Sequence, residues 1–184
     1  MKKRWSYLKQ SLKNMRTTAT VTKSSRYTCR AMIKHVDFEN ADVIVEIGAG
    51  DGVITKHILA EMKPGTKLLC FEILDHFCEI LHEIEDDRLV IIQDSAEHIG
   101  KYLQKHGFEK ADAIVSAVPF VMLPRELSIA IVTQLKKYIR PNGIMVQLHY
   151  STIVKKIYQN IFGNVKTEFV ARNIPPAILH IMKG

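Results

Sequence analysis

The chain has 184 residues, 47% of them hydrophobic, and 26 lysines and arginines against 19 acids, for a formal net charge of +7. This length fits one domain rather than two, and the composition is that of a globular protein rather than a disordered one. No apolar run approaches the roughly 18 residues a membrane span needs. The basic N-terminus lacks the apolar core of a signal peptide, so a cytoplasmic location is expected. Cys29, Cys70 and Cys78 have neither the even number nor the spacing of a disulfide framework or zinc site, so no metal is expected.

The charge is concentrated at one end. Nine basic residues lie between Lys2 and Arg30, and no acid precedes Asp37, which leaves the rest of the chain slightly acidic. Trp5, Leu8, Leu12 and Met15 recur at helical spacing among Lys2, Lys3, Arg4, Lys9, Lys13 and Arg16. Such a helix fits an anionic membrane interface through its apolar stripe and its charge. The same charges also suit nucleic acid, the less favoured partner, and the stripe also suits packing on the chain's own domain. The sequence thus divides into a basic helical segment over 1–38 and a domain over 39–184.

From Val43 onward, short apolar runs alternate with helical patterns. Val43–Ile47, Lys67–Glu72, Leu89–Ile92, Ala113–Val115 and Ile144–Leu148 read as buried parallel strands. Helices are predicted near Val53–Glu61, Asp75–Ile84, Ala96–Lys105 and Arg125–Ile139, the last stopped by the turn signal Pro141-Asn142-Gly143. Val165–Ala171 and Ala177–Met182 read as two strands of an antiparallel hairpin. The predicted fold is α/β: a mostly parallel, Rossmann-like seven-stranded sheet with a C-terminal antiparallel hairpin and helices on both faces.

The clearest motif is Glu46-Ile47-Gly48-Ala49-Gly50-Asp51-Gly52, where a strand closes and a helix opens. Glycines let the backbone turn sharply and approach a ligand, and the helix start offers free N–H groups. A dinucleotide fingerprint would need its third glycine at position 53, which is Val53. The spacing resembles motif I of class I methyltransferases instead. Glu72-Ile73, at the end of the second strand, is placed to accept hydrogen bonds from ribose hydroxyls. Asp94-Ser95 follows the third strand, where that family receives the adenine amino group. Ser116-Ala117-Val118-Pro119-Phe120 ends the fourth strand, where it places the substrate loop. The resemblance implies S-adenosylmethionine as cofactor, held by Glu46, Gly48, Ala49, Gly50, Gly52, Glu72, Ile73, Asp94 and Ser95. On that reading Gly50→Val and Glu72→Ala are expected to weaken cofactor binding with little loss of folding.

The substrate loop narrows the acceptor. Methyltransferases acting on base amines, such as the ribosomal RNA adenine dimethylases, carry Asn/Asp-x-Pro-Tyr/Phe there, and Ala117 stands in place of the acid or amide. The loop more closely resembles the Ser-Gly-Leu-Pro of bacterial phospholipid N-methyltransferases. Thr22-Lys23-Ser24-Ser25-Arg26, Gln147-Leu148-His149-Tyr150 and Arg172-Asn173-Ile174-Pro175-Pro176-Ala177 also resemble segments of that family. The resemblance covers roughly residues 15–184. It implies N-methylation of a phospholipid head-group amine, such as phosphatidylethanolamine, with the protein peripheral on the inner membrane surface. Ser116 would orient the amine, and His149 and Tyr150 would accept its proton or bind the head group. Arg26, Tyr27, Pro119, Phe120, Arg172 and Asn173 would bind substrate, the arginines by charge-assisted hydrogen bonds to a phosphate. The alternatives are an RNA adenine N-methyltransferase and a cofactor-binding interaction protein without catalysis.

Overall fold

The computed structural model describes residues 25–184. The basic Trp5–Met15 stripe lies outside the described residues. In chain order the elements are α1 (Arg26–Ile33), β1 (Val43–Ile47), α2 (Val53–Glu61), β2 (Lys67–Phe71), α3 (Asp75–His82), β3 (Leu89–Ile92), α4 (Ile99–Lys105), β4 (Ala111–Ser116), α5 (Arg125–Tyr138), β5 (Ile139–His149), α6 (Lys155–Phe162), β6 (Lys166–Val170) and β7 (Ala177–Lys183). Two single 3₁₀ turns, Ala96–His98 and Phe120–Met122, precede α4 and α5.

The seven strands form one sheet in the order β3-β2-β1-β4-β5-β7-β6. The first five run parallel. β7 inserts antiparallel between β5 and β6. Alternation along β1 explains why the sheet is covered on both faces. Val43, Val45 and Ile47 join one core with Leu69, Phe71, Ile114, Leu127, Val132 and Tyr158. Ile44 joins the other with Met32, Ile58, Leu68, Val115 and Leu179. The strand order reverses between β2-β1 and β1-β4, so the loop after β1 lies at the switch point where open α/β sheets bind ligands.

Three details differ from the sequence reading. From Ser25 onward the basic 1–38 segment is part of the fold: Ser25 caps α1 by accepting from Thr28 N–H, and Cys29, Met32, Ile33 and Val36 are buried in the second core. The helix predicted to stop before Pro141-Asn142-Gly143 does stop there, at Tyr138, but β5 starts at Ile139 rather than Ile144, so these three residues sit within the strand as an irregularity. The pairing steps from Ala111↔Ile139 to Ala113↔Ile144, Asn142 takes φ 63°, and a Cβ at Gly143 would stand 2.8 Å from the Asp112 carbonyl. Third, α6 has no counterpart in the predicted elements, although Val154, Ile157, Tyr158, Ile161 and Phe162 recur at helical spacing.

Candidate functional site

The loop after β1 is built on left-handed backbone. Gly48, Gly50 and Gly52 have φ of 74°, 59° and 75°, a region costly to residues with a Cβ. At Gly48 the reason is also steric: a Cβ would lie 2.8 Å from Val118 Cγ2, so the cofactor loop and the substrate loop are in direct contact. Gly48 N–H donates to the Phe71 carbonyl, and Ala117 N–H donates to the Ile47 carbonyl. These bonds draw the ends of β2, β1 and β4 together. Gly52 caps α2, and Ala49 is buried.

Glu72 organises this edge. Its Oε2 accepts from Gly50 N–H at 3.0 Å, and its Oε1 accepts from Ile73 N–H at 2.8 Å and Leu74 N–H at 3.0 Å. Three of its four acceptor positions are used, which leaves one on Oε2 for a ribose hydroxyl. Asp94 is similarly set: Oδ1 accepts from Ser95 N–H at 2.7 Å and pairs with His98 Nδ1 at 3.0 Å, and Oδ2 accepts from the Tyr102 hydroxyl at 2.9 Å. Burial works to raise its pKa, but these hydrogen bonds outweigh it and hold the carboxyl below its ordinary value. The second lone-pair site of Oδ2 can receive an amino group. Ser95, buried, accepts from Glu97 N–H and caps the short turn before α4.

Glu46 stands apart. It is 2% exposed, and its Oε1 has no hydrogen-bond partner. Burial pushes its pKa up to about 7, against lowering by Thr55 and then Cys70, with a smaller push upward from the nearby Glu72. Its Oε2 accepts from the Cys70 thiol at 3.7 Å, and the unpartnered Oε1 costs free energy in a fold that satisfies most such groups.

These features fit S-adenosylmethionine. The glycine loop leaves no side chain between backbone and ligand, Glu72 and Asp94 each keep an acceptor, and Glu46 offers one oxygen, Oε1, without a partner beside the loop of a cationic cofactor. When bound, that cofactor supplies an electrophilic methyl group on a sulfonium. A cation should bind better to ionised Glu46, so affinity is expected to rise about tenfold from pH 6 to pH 8. In the free protein the sign is opposite. The native state holds a proton that the unfolded chain has released above about pH 4.5, so stability falls as pH rises through that window to about pH 7. Glu46→Gln should flatten both dependences. Titration calorimetry and thermal denaturation across that range check this, and equal slopes in both proteins would remove Glu46 from the site.

Around the substrate loop the predicted residues separate into exposed and buried groups. Ser116 is fully buried, and its hydroxyl accepts from Val118 N–H at 3.4 Å, so it shapes the loop. Gln147, also fully buried, donates to the Val118 carbonyl at 2.9 Å and holds the loop to β5. Phe120 is buried, with its carbonyl accepting from the Ser128 hydroxyl, whereas Pro119 is only partly covered. His149 is 4% exposed, and its Nε2 pairs with the Tyr158 hydroxyl at 2.7 Å. Burial, and then His180, push its pKa down to about 3, which keeps it neutral and makes it a weak proton acceptor. The buried Tyr158 and His180, which close this cluster, are absent from the sequence reading. Tyr150, the next residue, is half-exposed at the carboxyl edge.

Arg26, Tyr27 and Arg172 come together although Tyr27 and Arg172 are 145 positions apart in sequence. The two guanidinium carbons lie 5.0 and 5.2 Å from the Tyr27 ring centroid, and Arg26 Nη2 donates to the Tyr27 hydroxyl at 3.1 Å. Asn173 makes this possible. It is 3% exposed, its Oδ1 accepts from Ser25 N–H and the Thr28 hydroxyl, and its Nδ2 donates to the Pro175 carbonyl. The Ser25 hydroxyl donates to the Arg172 carbonyl.

No protein-family model matches the chain. Among solved structures it is similar to an O-methyltransferase from Bacillus cereus, with a TM-score of 0.71, 15% identity, and coverage of 97% of this chain and 91% of that one. It is also similar to the N-methyltransferase NodS from Bradyrhizobium japonicum WM9, with a TM-score of 0.66, 11% identity, and coverage of 87% and 88%. Both were crystallised with S-adenosylhomocysteine. The sheet order, the glycine loop and these likenesses define the fold: the chain has the Rossmann-like fold of class I methyltransferases, and its site fits S-adenosylmethionine. In sequence it is 29% identical, over 100% of its length and 97% of the relative's, to an ornithine lipid N-methyltransferase of Singulisphaera acidiphila.

Proposed function

We propose that the chain N-methylates the head-group amine of a lipid at an anionic membrane surface. The observation that carries this reading is the similarity to a lipid N-methyltransferase along the whole length of both chains. The geometry supports it in two ways. With Ala117 in the loop and the Ser116 hydroxyl buried, an amine must be oriented by loop carbonyls rather than by a polar side chain. Arg26 and Arg172, each beside the Tyr27 ring and without an acidic partner among the described ion pairs, suit an anion. A phospholipid offers that anion as a phosphate, and an ornithine head group as a carboxylate.

In-line transfer requires a neutral amine aligned with the methyl group, and much of the acceleration comes from that alignment. Pro119 and Phe120 would form the wall beside the amine, and Tyr150, rather than the neutral and occupied His149, would contact the head group. The basic 1–16 segment would add attraction to an anionic leaflet of about 1 kcal/mol per charge near the surface. Among the described residues no helix is long and apolar enough to cross a membrane.

The test incubates the full chain with methyl-labelled cofactor and, separately, phosphatidylethanolamine vesicles, ornithine lipid vesicles and total RNA. Label is expected in one or both lipids, and the labelled lipid identifies the anion. Label confined to RNA, or in none of the three, overturns the reading.

A further inference from the structure

A groove opens beside the substrate loop, between the Phe120–Met122 turn, the start of α5 and α6. Its volume is about 470 Å³, within the range of small-molecule sites. Its walls are apolar: Phe120, Leu123, Ile129, Val154, Ile157 and Ile161. Val121 and Ile153 stand at its lips, Ile153 with 75% of its surface exposed. No acid lines it. The Ser128 hydroxyl is occupied by the Phe120 carbonyl, so the remaining polar groups are Asn160 and the cations Arg125 and Lys156. A peptide would leave its amides unpaired along such walls, which is costly. An aliphatic chain would not, and the cations match an anionic head group or leaflet.

The groove begins on the same loop that meets the cofactor loop. Val118 touches the cofactor loop at Gly48, and two residues later Phe120 forms the groove wall. A molecule with its amine at Pro119 would therefore run its remaining length past Phe120 into the groove. We propose that this groove binds the acyl chain of the substrate, with Val121 and Ile153 as its entrance from the bilayer. The proposal rests on the lipid reading above and adds where the chain lies and how it contributes to specificity.

The test uses soluble amine substrates that share a head group and carry acetyl, hexanoyl or decanoyl chains, below the concentration at which they aggregate. Each methylene fully buried should raise kcat/KM by up to about fourfold, corresponding to ~0.8 kcal/mol. Ile129→Trp and Ile157→Trp fill the groove from opposite walls. Either should flatten the chain-length dependence while leaving the acetyl substrate and cofactor affinity within about twofold of wild type. Direct binding of parinaric acid, a fluorescent fatty acid, to the wild-type protein and its loss in the filled variants gives a readout that needs no methyl transfer. If parinaric acid binds in the groove but no amine lipid is methylated, the lipid-transfer reading fails and the acyl site stands. If transfer occurs with equal efficiency at all chain lengths, or if folded, filled variants keep both the dependence and the fatty-acid binding, the acyl site is overturned and the lipid reading stands.

Discussion

Replacement of Glu72 by alanine is expected to weaken S-adenosylmethionine binding by about a hundredfold or more and to lower stability as well. The carboxyl group joins three backbone N–H groups, on Gly50, Ile73 and Leu74, and is 4% exposed. Hydrogen bonds to a charged group contribute about 1.5–3 kcal/mol, and an unpaired buried donor costs a comparable amount. Alanine removes the ribose acceptor and also releases the Gly50 loop from β2, so two contributions to affinity disappear together. The sequence alone suggested little cost to folding. The three N–H groups change that expectation to about 2 kcal/mol, or roughly 4–8 °C in Tm for a domain of this size. Glu72→Gln keeps the shape but turns an amide N–H toward one of the backbone donors, so its affinity should fall between the two. Titration calorimetry of the cofactor with parallel thermal denaturation checks this. Wild-type affinity in Glu72→Ala would mean that the carboxyl is only a backbone brace.

The sequence reading reached far where a signal is local. Glycines at 48, 50 and 52 can be read without coordinates because only backbone freedom explains them, and β1 and α2 have the predicted limits. The inserted β7 was not legible in its position, because sheet order depends on long-range pairing such as Gln147↔His180. The part played by Glu72 in folding was hidden for the same reason, since its partners become neighbours only in the sheet. α6 was legible in principle from its apolar spacing but is short and follows a stretch without strong helix signals. Burial of Ser116 and His149 could not be read at all. A polar residue at a strand end looks the same in sequence whether it faces solvent or, like His149, pairs with a tyrosine nine positions on.

Asn173 combines the two kinds of information, because its segment stands out in the sequence but its work is visible only in three dimensions. Its side chain fastens the start of α1 to the β6–β7 connection through Ser25 N–H at 3.2 Å, Thr28 Oγ1 at 2.8 Å and Pro175 O at 2.7 Å. Arg26 and Arg172 each adjoin one side of that fastening, and neither has a charged partner among the ion pairs of the described residues. Asn173→Ala should therefore leave the fold intact, since Cys29, Met32 and Ile33 still anchor α1 in the core. It should separate the two guanidinium groups. If those groups hold the head-group anion, loss of one or two charge-assisted bonds lowers kcat/KM for lipid roughly 10- to 100-fold, chiefly through KM, with cofactor affinity within about twofold of wild type. A purely structural role predicts additivity instead, so the decisive measurement is a mutant cycle. In the Arg26→Ala/Arg172→Ala background, Asn173→Ala should have almost no further effect on lipid kinetics, because it acts through the arginines. An undiminished loss in that background, or a parallel fall in cofactor affinity, would show that Asn173 supports the domain as a whole and that the paired arginines are not its output.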